Sequence, residues 1–358
     1  MMPLWERYFL KEAVKAFAFF LGCFFVLYSL LDYSLHMQDF IKDKQIQFVD
    51  IFIYYYHQFI KRAALLIPLT LLITTIKLLT TFNERRELVA LQTAGISSKR
   101  LLRPFFIVAL GCTLFSFANI QFLLPASLRY ADQFHANHFR HSFYGERKEP
   151  MHVLTLKDNS KLVYQKYDAM KDVFFDVIWI RSADDIWRIK TLKADPKKPQ
   201  GKYVDHLTRN GQGIIEKNGS YESYIFEEVR WNPSAMQQGS IPFENRKWTD
   251  LYHLLREKRN TPSYEKSEIL TQVLFKSVMP VLPILCVIAV APVCIRYARR
   301  LPLFFLYAFS LFAFLAFYAF MDAATILGEN HLVTPFTAIL VPFFSLSSFF
   351  MWKFLKMR

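Results

Sequence analysis

The chain contains no phosphate-binding loop of the form G-x-x-x-x-G-K-[ST], so it does not itself hydrolyse nucleotide by that route. H-E-x-x-H and G-x-S-x-G are missing as well, which weakens enzymatic readings and leaves no candidate catalytic residue and no implied cofactor. Cysteine is rare: Cys23, Cys112, Cys286 and Cys294 all fall in apolar runs, and no two have ligand spacing. Neither disulfides nor a thiol–metal site is expected. Glycine is scarce, at 10 of 358 residues, and there is no low-complexity tract and no short-period repeat.

What is abundant is apolar and aromatic: 53% of the residues are hydrophobic and 37 are Phe. A membrane crossing needs about 20 apolar residues to cover about 30 Å of hydrocarbon. Six runs approach that length: Ala13 to Leu31, Ala63 to Leu79, Phe105 to Leu124, Val278 to Ile295, Leu301 to Met321 and Val333 to Trp352. The second must extend back through Ile51 to Ile60, where Tyr54, Tyr55 and Tyr56 suit an interfacial aromatic belt. The first is too long for a cleaved signal peptide, and Leu31-Asp32-Tyr33 lacks the small-residue cleavage pattern.

Net charge is +14, which in a soluble protein would raise nucleic acid as a partner. Here the basic residues follow topology instead. Arg7, Lys11 and Lys15 precede the first run, and Lys99, Arg100 and Arg103 the third; Arg296, Arg299 and Arg300 follow the fourth, and Lys353, Lys356 and Arg358 end the chain. The positive-inside rule puts both termini in the cytoplasm. The opposite connections, Asp32 to Asp50 and Asp322 to His331, lean acidic, so the long middle segment of roughly Pro125 to Lys266 is expected outside the cytoplasm.

That segment reads as strands. His152 to Leu156, a turn at Asp158-Asn159-Ser160, Lys161 to Tyr164, Phe174 to Ile180, Trp187 to Leu192 and Tyr221 to Trp231 are β-rich runs at close spacing. With Asn218-Gly219 as a hairpin turn and Asp195 to Gly201 as a loop, they predict an antiparallel sandwich or jelly roll. After Trp248, Leu251, Leu254 and Leu255 return to helical spacing. The fold class expected is an α-helical membrane protein of six transmembrane helices, three plus three, with an inserted all-β domain. Residues 1–124 hold spans one to three, 125–266 the β-rich domain and 267–358 spans four to six.

Between spans two and three lies a short polar stretch, Asn83 to Ser97. Asn83 is placed to cap a helix, Glu84 is acidic in its first turn and Gly95 sits where a helix ends left-handed, which predicts a helix over about 84–95. On it Glu87, Leu91 and Ala94 share a face with Leu88 beside them, either a surface for a groove on another protein or an amphipathic helix resting on the membrane.

His135, His138 and His141 recur every three residues but fan over about 120° on a helix, so no metal ligand is assigned. Lys61 and Arg62 at the outer end of span two, with Lys42 and Lys44 in the preceding loop, are candidates for phosphate or lipid-headgroup contact, against snorkelling to the interface. Lys77 and Lys276 read as interface anchors. Pro68, Pro280, Pro283 and Pro292 each permit a kink, and Phe17, Phe20, Phe304 and Phe312 face either an acyl-chain cavity or lipid.

Three spans, a β-rich insert and three spans, with Glu87-Leu88-Val89-Ala90-Leu91-Gln92-Thr93-Ala94-Gly95 after Pro68 and before Ser97, resembles the lipopolysaccharide-export permeases LptF and LptG. Arg7 to Glu12 is similar to that family's opening, and Asp32 to Phe40 looks more like the LptG branch. The resemblance implies an inner-membrane, multi-pass permease subunit with a periplasmic jelly-roll-like domain, acting in ATP-driven lipopolysaccharide export. It implies a coupling helix that contacts a cytoplasmic ATPase dimer (LptB-like) through Glu84, Glu87, Leu88, Ala90, Leu91, Ala94 and Gly95. It also implies a paralogous permease as heterodimer partner and a single-span bridge protein (LptC-like). The alternatives are a lipoprotein-release or efflux-type permease, which carries one span before its outer domain, a membrane-embedded envelope-lipid transferase, and a structural envelope adaptor.

Overall fold

A computed structural model describes residues 3–42, 48–138, 152–156, 160–168, 173–182, 184–193, 199–209, 215–226, 243–257, 263–295 and 303–357. It divides into two compact units, Met1–Arg140 with Phe243–Arg358, and His141–Pro242.

In chain order the helices of the first unit are α1 (Leu4–Lys42), α2 (Phe48–Glu84), α3 (Glu87–Thr93), α4 (Ser98–Leu101), α5 (Arg103–Ala118) and α6 (Leu124–His138). After the β unit come α7 (Trp248–Glu257), α8 (Ser263–Val278), α9 (Leu282–Ile295), α10 (Leu303–Glu329) and α11 (Pro335–Leu355). Six stretches are long and apolar enough to cross a membrane: Leu4–Met37, Val49–Glu84, Arg103–Ala131, Lys266–Ile295, Leu303–Glu329 and Pro335–Leu355. All six expected spans are present, and most are longer than their uncharged cores. Asp32 lies inside α1 instead of opening an acidic loop, and the fourth span starts at Lys266 rather than Val278.

Burial ranks the spans. In the most apolar window of spans two and four 72% of the residues are buried, against 0% in span one and 6% in span five. Spans two and four are therefore the centre of the bundle, with Leu71, Ile76, Leu79, Val287 and Ala291 in one continuous core. Three threonines of span two satisfy their hydroxyls within the helix, Thr70 on the Leu66 carbonyl at 2.6 Å, Thr75 on that of Leu71 at 2.7 Å and Thr80 on that of Ile76 at 2.7 Å, which makes them compatible with burial. Pro68 and Pro292 lie inside helices, whereas two other prolines stand where their missing N–H costs no helical bond. Pro280 sits in a 3-10 turn, Met279–Val281, that separates α8 from α9, and Pro283 lies in the first turn of α9.

Span three carries a feature the sequence did not announce. Between α5 and α6 the chain adopts a π-helical turn, Asn119–Leu123, where one extra residue is accommodated in the helix. Asn119, buried there, donates to the Ile60 carbonyl of span two at 3.1 Å.

The second unit is a seven-stranded antiparallel sheet, ordered β1 (His152–Thr155), β2 (Lys161–Tyr164), β4 (Val173–Ser182), β5 (Asp185–Lys193), β6 (Gln200–Arg209) and β7 (Ile215–Ile225), with β3 (Lys166–Asp168) also pairing β4. Neighbours in sequence are neighbours in space, so the described strands form a meander. Two expectations are corrected. Asn218-Gly219 is no turn but lies within β7, where Gly219 faces His206 beside a bulge, and Gln200 and Gly201 open a strand, β6, rather than closing a loop. β6 escaped notice because Lys202, Asp205, His206 and Arg209 dilute its apolar alternation.

One row of the sheet departs from regular strand geometry. The registers align Asp176 with Lys190, Tyr203 and Glu222 on successive strands. Asp176 and Tyr203 both have positive φ, 47° and 52°, unusual for non-glycine residues and a means of bending a strand. On β4 and β5 the side-chain alternation changes phase there, so that Phe174 and Val177, three apart, are both buried, as are Ile189 and Leu192. Both halves thus turn apolar residues inward, around Leu162, Phe174, Val177, Trp179, Ile189 and Val204.

Candidate functional site

The connection between spans two and three is built by a sharp break. Span two runs on through Asn83 and Glu84, and the chain then turns at Arg85 and Arg86, with Arg86 left-handed at φ 62°. Asn83 is thus no N-cap: its carbonyl accepts from the Arg86 amide at 3.0 Å and closes the turn. The helix itself is shorter than expected, Glu87–Thr93, and ends where Gly95 takes φ 88°, the left-handed stop predicted for it.

On this helix the faces sort clearly. Leu88 is 0% exposed and belongs to the bundle core, and Leu91 and Ile96 pack against that core. Burying Leu88 contributes about 1.5–3 kcal/mol to holding the element in place. The outward face is Val89, 46% exposed, with Ala90, Thr93 and Ala94, and the solvent-facing Glu84, Arg85 and Arg86 precede it. Of the seven coupling residues named from the sequence, Glu84, Ala90, Ala94 and Gly95 are therefore exposed, Glu87 and Leu91 half-buried, and Leu88 turned inward. The Arg85 guanidinium reaches the Glu87 carboxylate at 3.9 Å.

The surroundings fix this element from several sides. Gln92 donates to the Ser98 hydroxyl at 3.1 Å, and the Lys99 ammonium donates to the Leu355 carbonyl at the end of span six, also at 3.1 Å. Beside it lies an open cleft of about 520 Å³, lined by Gln92, Ile96, Ser98, Ile295 and Met357. Nearby, Glu6 of span one is buried and faces Arg103 of span three at 3.7 Å, while Phe9 stacks on Phe82 at 4.2 Å. The helix thus packs on the end of span two with Leu88 in the bundle core, and the segment that follows it is tied to the end of span six through Lys99.

At the other end of spans one and two is a polar cluster. Arg62 donates from Nε to the Tyr28 hydroxyl at 3.3 Å and its guanidinium carbon lies 5.4 Å from that ring's centre. The Tyr28 hydroxyl is 3.5 Å from both the Asp32 carboxylate and the Gln58 side-chain oxygen, and Gln58 donates to Tyr54 at 2.7 Å. Tyr54 in turn lies 3.5 Å from Asp32. Arg62 is therefore exposed but oriented, a planar donor suited to phosphate oxygens and already held by a tyrosine. Lys61 is half-buried on the same turn. Lys44 and the side chain of Lys42 lie outside the described residues, as do His141 and the side chains of His135 and His138. Tyr28, Asp32, Tyr54 and Gln58 were missed as a group because only the packing of two helices brings positions 28, 32, 54 and 58 together.

Lys276 is not an interface anchor. It is buried in span four and its ammonium donates to the backbone carbonyls of Phe243, Glu244 and Arg246, the last two at 2.8 and 2.5 Å. Next to it, Trp248 donates to the Ser277 hydroxyl at 2.9 Å, and Gln121 of the π-helical turn donates to Thr249 at 2.8 Å. The segment that re-enters the bundle after the β unit is thus tied to spans three and four at once. Burial draws the Arg246 guanidinium below its ordinary range, with Asp250 and Glu268 opposing the shift.

Among the described residues no cluster of His, Cys, Asp or Glu is arranged to hold a metal ion, and the four cysteines are unpaired. No curated protein matches the chain. A family model described as lipopolysaccharide export system permease LptF/LptG matches residues 7–356, and it takes in both branches alike. A match over nearly the whole length, on six membrane helices with an inserted antiparallel sheet, decides the matter: this chain belongs to the LptF/LptG family of lipopolysaccharide export permeases and is a multi-pass protein of the inner membrane.

Proposed function

We propose that this chain is the permease subunit of an ATP-driven extractor, in which a separate cytoplasmic ATPase dimer acts on α3, a paralogous permease completes the lipid cavity, and a single-span bridge protein receives the lipopolysaccharide. The observation that carries this reading is the seat of α3. Leu88 anchors the helix in the core while Val89, Ala90, Thr93 and Ala94 face outward beside Glu84 and Glu87. A short helix anchored in the bundle core and offering a small apolar face with acidic neighbours is suited to pass a push from a docked protein into the bundle.

In this reading both termini and α3 are cytoplasmic and the β unit is periplasmic, in keeping with the basic residues at Arg7, Lys11, Lys99, Lys353 and Lys356. The outer cluster around Arg62 then meets the headgroup region, where its guanidinium would engage lipid phosphates, with Lys61 beside it. ATP-driven closure of the partner shifts the population of bundle conformations and narrows the cavity.

The test is co-purification of the tagged chain from membranes with identification of the associated proteins and lipids. An ATPase, a second six-span chain and lipopolysaccharide are expected together. Glu87→Arg should abolish ATPase association while membrane insertion is normal; normal association in the pull-down would sink the assignment of α3.

A further inference from the structure

Spans four and five follow one another in sequence yet leave an apolar slot of about 250 Å³ between them. One wall is a single stripe of α9 at helical spacing, Leu282, Cys286, Ala289 and Val293. The facing wall is the matching stripe of α10, Leu306, Ser310, Ala313 and Phe317. Leu346, Phe350 and Lys353 of span six, with Leu72 of span two, close the remaining sides. Small residues, Ala289, Ser310 and Ala313, stand midway along the two facing stripes and leave the gap between them.

Each stripe covers eleven residues of rise, about 16 Å at about 1.5 Å per residue. That is half of a hydrocarbon core of about 30 Å, the depth of one leaflet. The volume is below the roughly 300–1,000 Å³ of ordinary ligand clefts, which suits a single chain and not a ring system. Water has little to bind there, since Ser310 supplies the lone hydroxyl of the lining, and an empty apolar gap of this size destabilises a bundle. At one end stands a cation: Lys353, exposed in the last turn of span six, makes no ion pair among the described residues. Its neighbour Lys356 is engaged over the Trp352 ring at 3.9 Å.

We propose that this slot holds one acyl chain of an anionic phospholipid, drawn from the leaflet that meets the C-terminal end of span six, with the headgroup phosphate on Lys353. The length, the apolar lining and the single terminal cation together specify a tail with a negative head. The site is separate from the Arg62 cluster and stands whether or not the lipopolysaccharide reading does; a structural lipid here would set the spacing of spans four and five.

The probe is a phosphatidylglycerol carrying a photoreactive group in its tail, compared with the phosphatidylcholine of the same tail, on the full chain in membranes. Adducts are expected in the peptides that contain Leu282 to Val293 and Leu306 to Phe317, with phosphatidylglycerol preferred by about tenfold, a difference of about 1.4 kcal/mol. Ala313→Trp should remove the labelling. Because that variant alone could disturb folding, Ala289→Phe fills the slot from the other wall, and the melting temperature of both is checked. Lys353→Gln should erase the preference between the two lipids while tail labelling persists. Equal labelling by both lipids in the unaltered chain, labelling unchanged by either filling variant, or adducts spread along the exposed faces of spans one and five would each overturn the proposal. So would loss of labelling on co-expression of the paralogous permease, which would assign the slot to a protein partner.

Discussion

Two residues show how tightly individual positions are constrained. Gly201 is buried in β6, and a Cβ built on it would stand 2.8 Å from the Phe226 ring and 2.9 Å from the Ile189 methyl. Gly201→Val therefore overpacks the core of the β unit, at about 1–3 kcal/mol, and limited proteolysis of the full chain in detergent should cut within that unit at lower protease than for the unaltered protein. Lys276 presents the opposite case, a charge that is needed where it is buried. Lys276→Met leaves the carbonyls of Phe243, Glu244 and Arg246 without their donor. A loss of about 1.5–3 kcal/mol is expected, read as a lowered thermal unfolding midpoint; an unchanged midpoint would mean that these carbonyls find other partners. Neither position was legible in the sequence. A glycine in a strand and a lysine near a span acquire meaning from atoms that are distant in the chain.

At the scale of the element, α3 separates anchor from surface within two consecutive residues. Leu88→Asp puts a carboxylate in the core, and the helix should detach, with loss of ATPase association and a stability loss of at least the roughly 2–5 kcal/mol of a buried Leu→Ala change. Val89→Asp alters the exposed face alone, so the fold should persist while association weakens. If both variants melt like the unaltered chain, the helix is not seated as described. The sequence predicted the existence of this helix and its Gly95 terminus, because turn chemistry is local. It misplaced the start, since Asn83 and Glu84 continue span two and the break depends on Arg86 adopting a left-handed backbone. The apolar strip of Leu88 and Leu91 was also visible in the spacing, but spacing does not say which side of a short amphipathic helix meets its own bundle. In the same way, periodicity revealed six spans and most strands, yet not the π-helical turn at Asn119–Leu123, which preserves apolar composition while adding a residue.

For the whole molecule, burial divides the bundle into a centre and a margin. Spans two and four are enclosed, whereas Leu27, Leu30 and Leu31 of span one and Phe304, Phe305 and Phe312 of span five are exposed on the isolated chain. Within the proposed heterodimer these margins are available to the paralogous permease. Cysteines introduced at Leu27 and Phe312 should form cross-links to a second chain in membranes, while one at Ile76, 0% exposed, should form none. No cross-link from either marginal position would remove spans one and five from the interface. The β unit carries its own large-scale property. The strand pairing skips the row of Asp176, Lys190, Tyr203 and Glu222, and a ladder that lacks pairs along one row resists bending least across it.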